Sequence, residues 1–230
     1  SCTGKHCPAF SQCTYYDKRK ELVGAQVIVA NHDLLLSSLG ARVLPELDNC
    51  LLVLDEAHHL PATALAQFAC SMDLSRITWI ERLSSRGLRI GALLEVEEIA
   101  DIPRHAAQLR QTLQDLARIV MDVYGDHLKS QKDTWGPARV RVPRGELPEP
   151  LIAPLGLLAA SADGFLEALR AISKALRAEM RDKPDEAKRL STLYAQIGML
   201  APRLEELHAT AQLLLQDAPE GAVPAAKWFT

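Results

Sequence analysis

The sequence predicts a mainly α protein with a partial α/β unit: an incomplete parallel-sheet fragment joined to a helical bundle. Three observations predict it. Two short runs, Gln26–Ala30 (QVIVA) and Cys50–Leu54 (CLLVL), are too uniformly apolar for half-exposed strands and read as buried parallel strands. The stretch between them, Asp33–Leu39, has helical character, which makes a βαβ crossover. From Asp73 to Asp217 apolar residues recur at steps of three and four, the spacing of packed helices.

Composition sets the outer bounds. The 230 residues are 48% hydrophobic and 24% charged, which excludes a disordered chain. The net charge of −3 gives no overall basic character, so nucleic-acid binding would have to use a local patch. Uninterrupted apolar runs such as Cys50–Leu54 fall well short of the roughly 18–20 residues that cross a bilayer, so no membrane partner is expected. With no secretory signal at its start, the chain is expected to be soluble and cytoplasmic. It opens on Ser1 rather than Met, and is expected to be a piece of something longer.

The five cysteines are unevenly placed. Cys2, Cys7 and Cys13 form C-x4-C-x5-C, with Pro8 stiffening the turn after Cys7. An odd total in a reducing compartment points to metal or cluster ligation rather than disulfides. Spacings of four and five are loose for a zinc knuckle and fit an iron–sulfur cluster, which takes four thiolates. A fourth ligand would come from His6, Cys50, Cys70 or residues outside the chain. In their apolar contexts Cys50 and Cys70 otherwise read as small buried residues.

Each predicted strand ends in polar residues: Asn31-His32 after the first, Asp55-Glu56-Ala57-His58 after the second. The carboxyl ends of strands in open α/β sheets face the ligand crevice. There Asp55 can hold Mg²⁺ beside nucleotide phosphates, and Glu56 can polarise a water for attack on the γ-phosphate. His58 is placed to sense or relay the state of that site. An apolar helix is predicted over His59–Cys70. The phosphate-cradling G-x-x-x-x-G-K-[ST] loop that ATP hydrolysis by this design needs does not occur in these 230 residues, so the chain alone is expected to be inactive. Two strands cannot form a covered sheet by themselves, a second indication of a piece.

The helical remainder carries three stripes. Leu109, Leu113, Leu116, Val120 and Val123 form one; Phe165, Leu169, Ile172, Leu176 and Met180 a second. Leu190, Leu193, Ile197, Leu200, Leu204 and Leu207 form the third. Such stripes suit antiparallel packing of helices of about 20 residues. Gly198 and Pro202 should interrupt the last helix, because proline removes a donor and clashes with the preceding turn. Lys183-Pro184-Asp185 reads as the hairpin before it.

The segment Lys129–Arg144 (KSQKDTWGPARVRVPR) carries five basic residues against one acid. Lys129, Lys132, Arg139, Arg141 and Arg144, with Trp135 among them, could follow a single strand by charge and base stacking. The alternative is a solvated hairpin whose Val140 and Val142 pack inward. The clusters Arg177–Lys183 and Lys188-Arg189 are interleaved with acids and read as solvated helix faces.

The cysteine group, QVIVANHDLLL and LLVLDEAHHLP, in that order and spacing, resemble the iron–sulfur superfamily-2 helicases of the DinG, YoaA and XPD type, with the YoaA/DinG branch most similar. The resemblance in motifs covers Cys2 to about Pro61. It implies that residues 1–22 end an iron–sulfur insertion, 23–72 belong to the first motor domain, 73–217 form a helical arch and 218–230 return to the motor. It also implies that Cys2, Cys7 and Cys13 are three of four ligands to a 4Fe-4S cluster whose first cysteine lies upstream. Asp55 and Glu56 then match the Mg²⁺ and water-activating positions and His58 the coupling histidine. The implied activity is that of an ATP-dependent 5′-to-3′ DNA helicase in repair or replication, acting on single-stranded or forked DNA. The rival is a non-enzymatic helical interaction module with a vestigial acidic box and a zinc site.

Overall fold

A computed structural model describes residues 10–41, 43–48, 50–130, 138–217, 221 and 223–230. Contacts divide the chain into two compact units, Gly4–Cys70 and one comprising Ser71–Thr230.

The smaller unit holds α1 (Thr14–Leu22), α2 (His32–Ala41) and α3 (Leu60–Phe68). Asn31 starts α2 by accepting the Leu34 N–H on its Oδ1 at 2.8 Å, which satisfies one of the unpaired donors of the first turn. Pro61 sits in the first turn of α3, where its missing N–H costs nothing. The predicted strands depart from expectation. Residues 26–30 and 50–54 run without helix, but form no strand ladder among the described residues. Their apolar side chains face solvent: Val29 is 93% and Leu51 90% exposed. Among the described residues the two segments pair with no strand and lie largely in solvent, and an isolated strand pair is not stable in water.

The larger unit is a helical bundle of α4 (Thr78–Leu93), α5 (Ile102–Ser130), α6 (Glu149–Asp182), α7 (Ala187–Gly198) and α8 (Ala201–Leu215). The 34-residue α6 is its axis and packs on α5, α7 and α8. Its buried residues Leu151, Leu155, Leu158, Ala162, Phe165, Leu169, Ile172, Leu176 and Met180 repeat the predicted stripe and extend it toward the N-terminus. By length and hydropathy α6 could cross a bilayer, but in this bundle its apolar side is the core. The α5 stripe holds through Val120 and then shifts. Val123 is exposed, and Tyr124 takes the buried position. At 3.6 residues per turn a helical face drifts away from a strict seven-residue repeat. As expected, α7 ends at Gly198 and α8 carries Pro202 in its first turn. Lys183 and Pro184 join α6 to the single turn Pro184–Glu186. The charged clusters are solvated, with Lys183 paired to Glu179 at 2.6 Å and Arg189 to Glu186 at 3.1 Å.

Two glycines let helices approach. A Cβ at Gly91 would overlap Ile99 Cγ2, so the C-terminal turn of α4 seats against the segment before α5. A Cβ at Gly164 would lie 2.6 Å from His105 Nε2, which places the His105 ring against the α6 backbone. Burial there, with Arg104 adding to it and Asp101 and Glu167 opposing, holds the His105 pKa below its ordinary value. The unfolded chain therefore binds this proton first as pH falls. The contribution of His105 is complete above the unfolded value of about 6.5 and is lost as pH drops toward the folded one. Melting temperature should fall between pH 7.5 and 5.5, and His105→Gln should flatten part of that slope. Parallel slopes in the two proteins would show that His105 titrates alike in both states.

The chain ends on a small sheet. β1 (Val140–Arg141) pairs antiparallel with β2 (Trp228–Phe229), Val140 opposite Phe229 and Arg141 opposite Trp228. Phe229 stacks on Tyr124 of α5 with ring centroids 5.0 Å apart. The Lys227 ammonium donates to the Leu214 carbonyl at 2.6 Å, where a cation complements the C-terminus of α8.

Candidate active site

The acidic box lies in the smaller unit, after the extended run that ends at Leu54. Asp55 Oδ1 accepts the Glu56 N–H at 3.0 Å. Glu56 adopts a left-handed conformation with φ 48° and ψ 40°, a region that disfavours residues with a Cβ. Strain of this kind concentrates at functional sites. The Glu56 carbonyl accepts the His59 N–H at 2.9 Å, which begins the single turn Ala57–His59 leading into α3. Thr63 of α3 donates its hydroxyl to the His59 carbonyl at 3.1 Å.

This turn folds the side chains back on one another. Glu56 Oε2 lies 3.1 Å from His58 Nδ1, both side chains about two-thirds exposed. The rings of His58 and His59 lie 3.9 Å apart at 41°. One ligand atom from each of Glu56, His58 and His59 lies within 4.8 Å of the others. Of the predicted residues the structure thus joins Glu56 to His58 through their side chains, and Asp55 to Glu56 through the backbone. His59 was not among the predicted site residues; its adjacency to His58 in the sequence is the signal that could have found it. Two imidazoles and a carboxylate suit a borderline-soft ion, whereas Mg²⁺ prefers carboxylates, phosphates and water. Asp55 stands outside that trio, with an exposed carboxylate.

Of the three clustered cysteines, Cys2 and Cys7 lie outside the described residues. Cys13 is the N-cap of α1, half-exposed, and its side chain makes no capping hydrogen bond. It is a free thiol, available as a ligand at the positive end of a helix. The expectation that Cys50 and Cys70 are buried is overturned: both are exposed. The smaller unit has no buried side chain among its described residues, so apolar neighbours in sequence do not enclose them. The Cys50 thiol donates instead to the Leu47 carbonyl at 3.0 Å.

In the basic segment Lys129, Arg139, Arg141 and Arg144 are exposed, while Lys132 and Trp135 lie outside the described residues. Val142 is 1% exposed and Val140 half-buried, so the valines turn inward and the arginines outward on one strand. The inward valines agree with the second reading of this segment, although β1 pairs with β2 near residue 229 and not within a local hairpin. A second basic face was missed: Arg82, Arg86 and Arg89, at i, i+4 and i+7 on α4, line a groove of about 760 Å³. Arg86 and Arg89 donate to the backbone and side-chain oxygens of Gln196 at 3.3 and 3.0 Å, so they clasp the last turn of α7.

Residues 4–77 match the DEAD_2 family. Over 228 residues the chain is 28% identical to the ATP-dependent DNA helicase DinG of Photobacterium profundum, covering 96% of this chain and 32% of that protein. It is 26% identical over 239 residues to the protein of the same name from Shigella flexneri, and 26% over 238 residues to that of Escherichia coli (strain K12). Each of these two alignments covers 100% of this chain and 32% of the relative. The chain spans about a third of the length of the curated relatives it matches.

Proposed function

We propose that this DinG-like chain is the cluster-proximal, DEAH-box and arch portion of an ATP-dependent 5′-to-3′ DNA helicase. The observation that carries the reading is the acidic box itself. An acidic pair at the tip of an extended apolar segment holds its second carboxylate in a left-handed turn, 3.1 Å from a histidine. The DinG relatives, matched along their alignments from end to end of this chain, supply the family context.

In this reading Asp55 would hold the Mg²⁺ that accompanies ATP, and that ion supplies neutralising charge to the β- and γ-phosphates. Glu56 takes the proton of the attacking water as a general base. His58, paired with Glu56, orients that carboxylate and registers whether it carries the proton. Cys2, Cys7 and Cys13 would hold a 4Fe-4S cluster with a cysteine outside this chain. Cys13 fits as a donor through its unbonded thiol; the cluster supplies a rigid tie between chain segments when bound. Lys129, Lys132, Trp135, Arg139, Arg141 and Arg144 would follow a single strand along the arch. The 230 residues alone would not hydrolyse ATP, because the phosphate-cradling loop is not among them. Repair or replication in the cytoplasm is the setting this activity implies.

The test uses the complete protein purified without oxygen: iron and sulfide content, together with ATPase in the presence of single-stranded DNA. About four irons per chain with DNA-stimulated hydrolysis is the expected result. Zinc or no metal, with no hydrolysis, would return the chain to a helical interaction module.

A further inference from the structure

We infer that Arg141 and Trp228 form a base-stacking platform for single-stranded nucleic acid at the root of the helical bundle. The inference rests on the DNA-binding reading above and adds a site to it.

The argument begins with strand parity. Side chains alternate across a strand, so β1 and β2 each have an inner and an outer position. The inner pair is Val140 with Phe229, the latter stacked on Tyr124. The outer pair is therefore Arg141 with Trp228, directly opposed in the antiparallel register. The Val142 N–H donates to the Lys227 carbonyl at 2.9 Å, which makes the neighbouring Arg141–Trp228 positions a non-hydrogen-bonded pair. Side chains at such pairs stand closer together, at roughly 4.5–5.5 Å between Cβ atoms.

Trp228 is 47% exposed. A large indole left half in water, directly across the ladder from an exposed arginine, offers a face for a nucleobase and a charge for its phosphate. Among the described residues neither Arg141 nor Arg144 forms an ion pair. Their charge is thus open to phosphate. On the Arg141 side lies a cavity of about 330 Å³ between Arg141 and Arg144 on one wall and Val223 and Pro224 on the other. That is at the small end of ligand-binding volumes.

The platform is also preorganised. Arg144 and Gly145 both take positive φ, at 54° and 71°. A Cβ at Gly145 would stand 2.9 Å from the Ala225 carbonyl oxygen, so glycine lets the two segments close on each other. Phe229 on Tyr124 and Lys227 on the end of α8 fix β2 from both sides. A site held in this way loses little freedom on binding.

The experiment measures binding of a fluorescent oligothymidylate, and of an abasic strand of equal length, to the complete protein across a salt series. Trp228→Ala should weaken oligothymidylate binding about tenfold, in the range of one lost base stack, and Trp228→Phe should restore most of it. On the abasic strand Trp228→Ala and the unaltered protein should bind alike. Arg141→Gln should weaken both strands and lower the salt slope by about one phosphate contact. Equal affinity of Trp228→Ala and the unaltered protein for oligothymidylate, with matching thermal unfolding, would overturn this site alone. Failure of the unaltered protein to bind either strand would overturn the DNA-binding reading together with it.

Discussion

Glu56→Gln in the complete protein should abolish DNA-stimulated ATP hydrolysis while leaving ATP binding in place. The amide keeps the shape of the side chain and removes its ability to accept a proton from water. General-base catalysis contributes roughly 10²–10⁴-fold, so kcat should fall by about that factor with little change in nucleotide affinity. The left-handed backbone at Glu56 is set by its own turn, with the N–H on Asp55 and the carbonyl on His59. Glutamine inherits both bonds, so the loss would be chemical rather than structural. Hydrolysis within tenfold of the unaltered protein would sink the assignment of Glu56 as the base.

Phe165→Ala should be the most damaging single truncation in the bundle. Phe165 is fully buried near the middle of α6, among the largest side chains with no solvent exposure. Removing a buried phenylalanine costs about 3–5 kcal/mol, the lost transfer term plus the cavity left behind. At roughly 2–4 °C per kcal/mol for a unit of this size, helical melting should drop by at least about 6 °C. Phe165→Leu, which keeps much of the volume, should lose distinctly less. A change under about 1 kcal/mol would mean that neighbouring helices collapse into the gap, contrary to packing at interior density.

The helical bundle was legible because its signal is periodic and self-contained. The α6 stripe needs no partner to be read, and Gly198, Pro202 and Pro184 act through local backbone chemistry. The acidic box was legible as a motif and His59 by its place beside His58, though the left-handed Glu56 is the consequence of a turn that residue types do not announce. What sequence could not convey was whether strand-forming segments find neighbours. Gln26–Ala30 and Cys50–Leu54 have the composition of buried strands, yet strand composition stabilises nothing until backbone donors are paired. The same dependence hid the sheet that does form. β1 and β2 are two residues each and lie far apart in sequence, too short for an alternation pattern and too distant for a hairpin signal. Cys50 and Cys70 failed similarly, since burial belongs to a surrounding core and not to flanking residue types.

The tether at the end of the bundle has a mechanical consequence. Thr210 shares its hydroxyl between the Glu206 carbonyl of its own helix at 2.7 Å and the Ser71 carbonyl at 3.3 Å, and the Lys227 ammonium reaches the Leu214 carbonyl. The segments that enter and leave the bundle are thus fastened to the same helix four residues apart, about one turn or 5.4 Å along its axis. The Phe229–Tyr124 stack ties the outgoing segment to α5 as well, so pulling on either segment loads the last two turns of α8 before it reaches the core of the bundle.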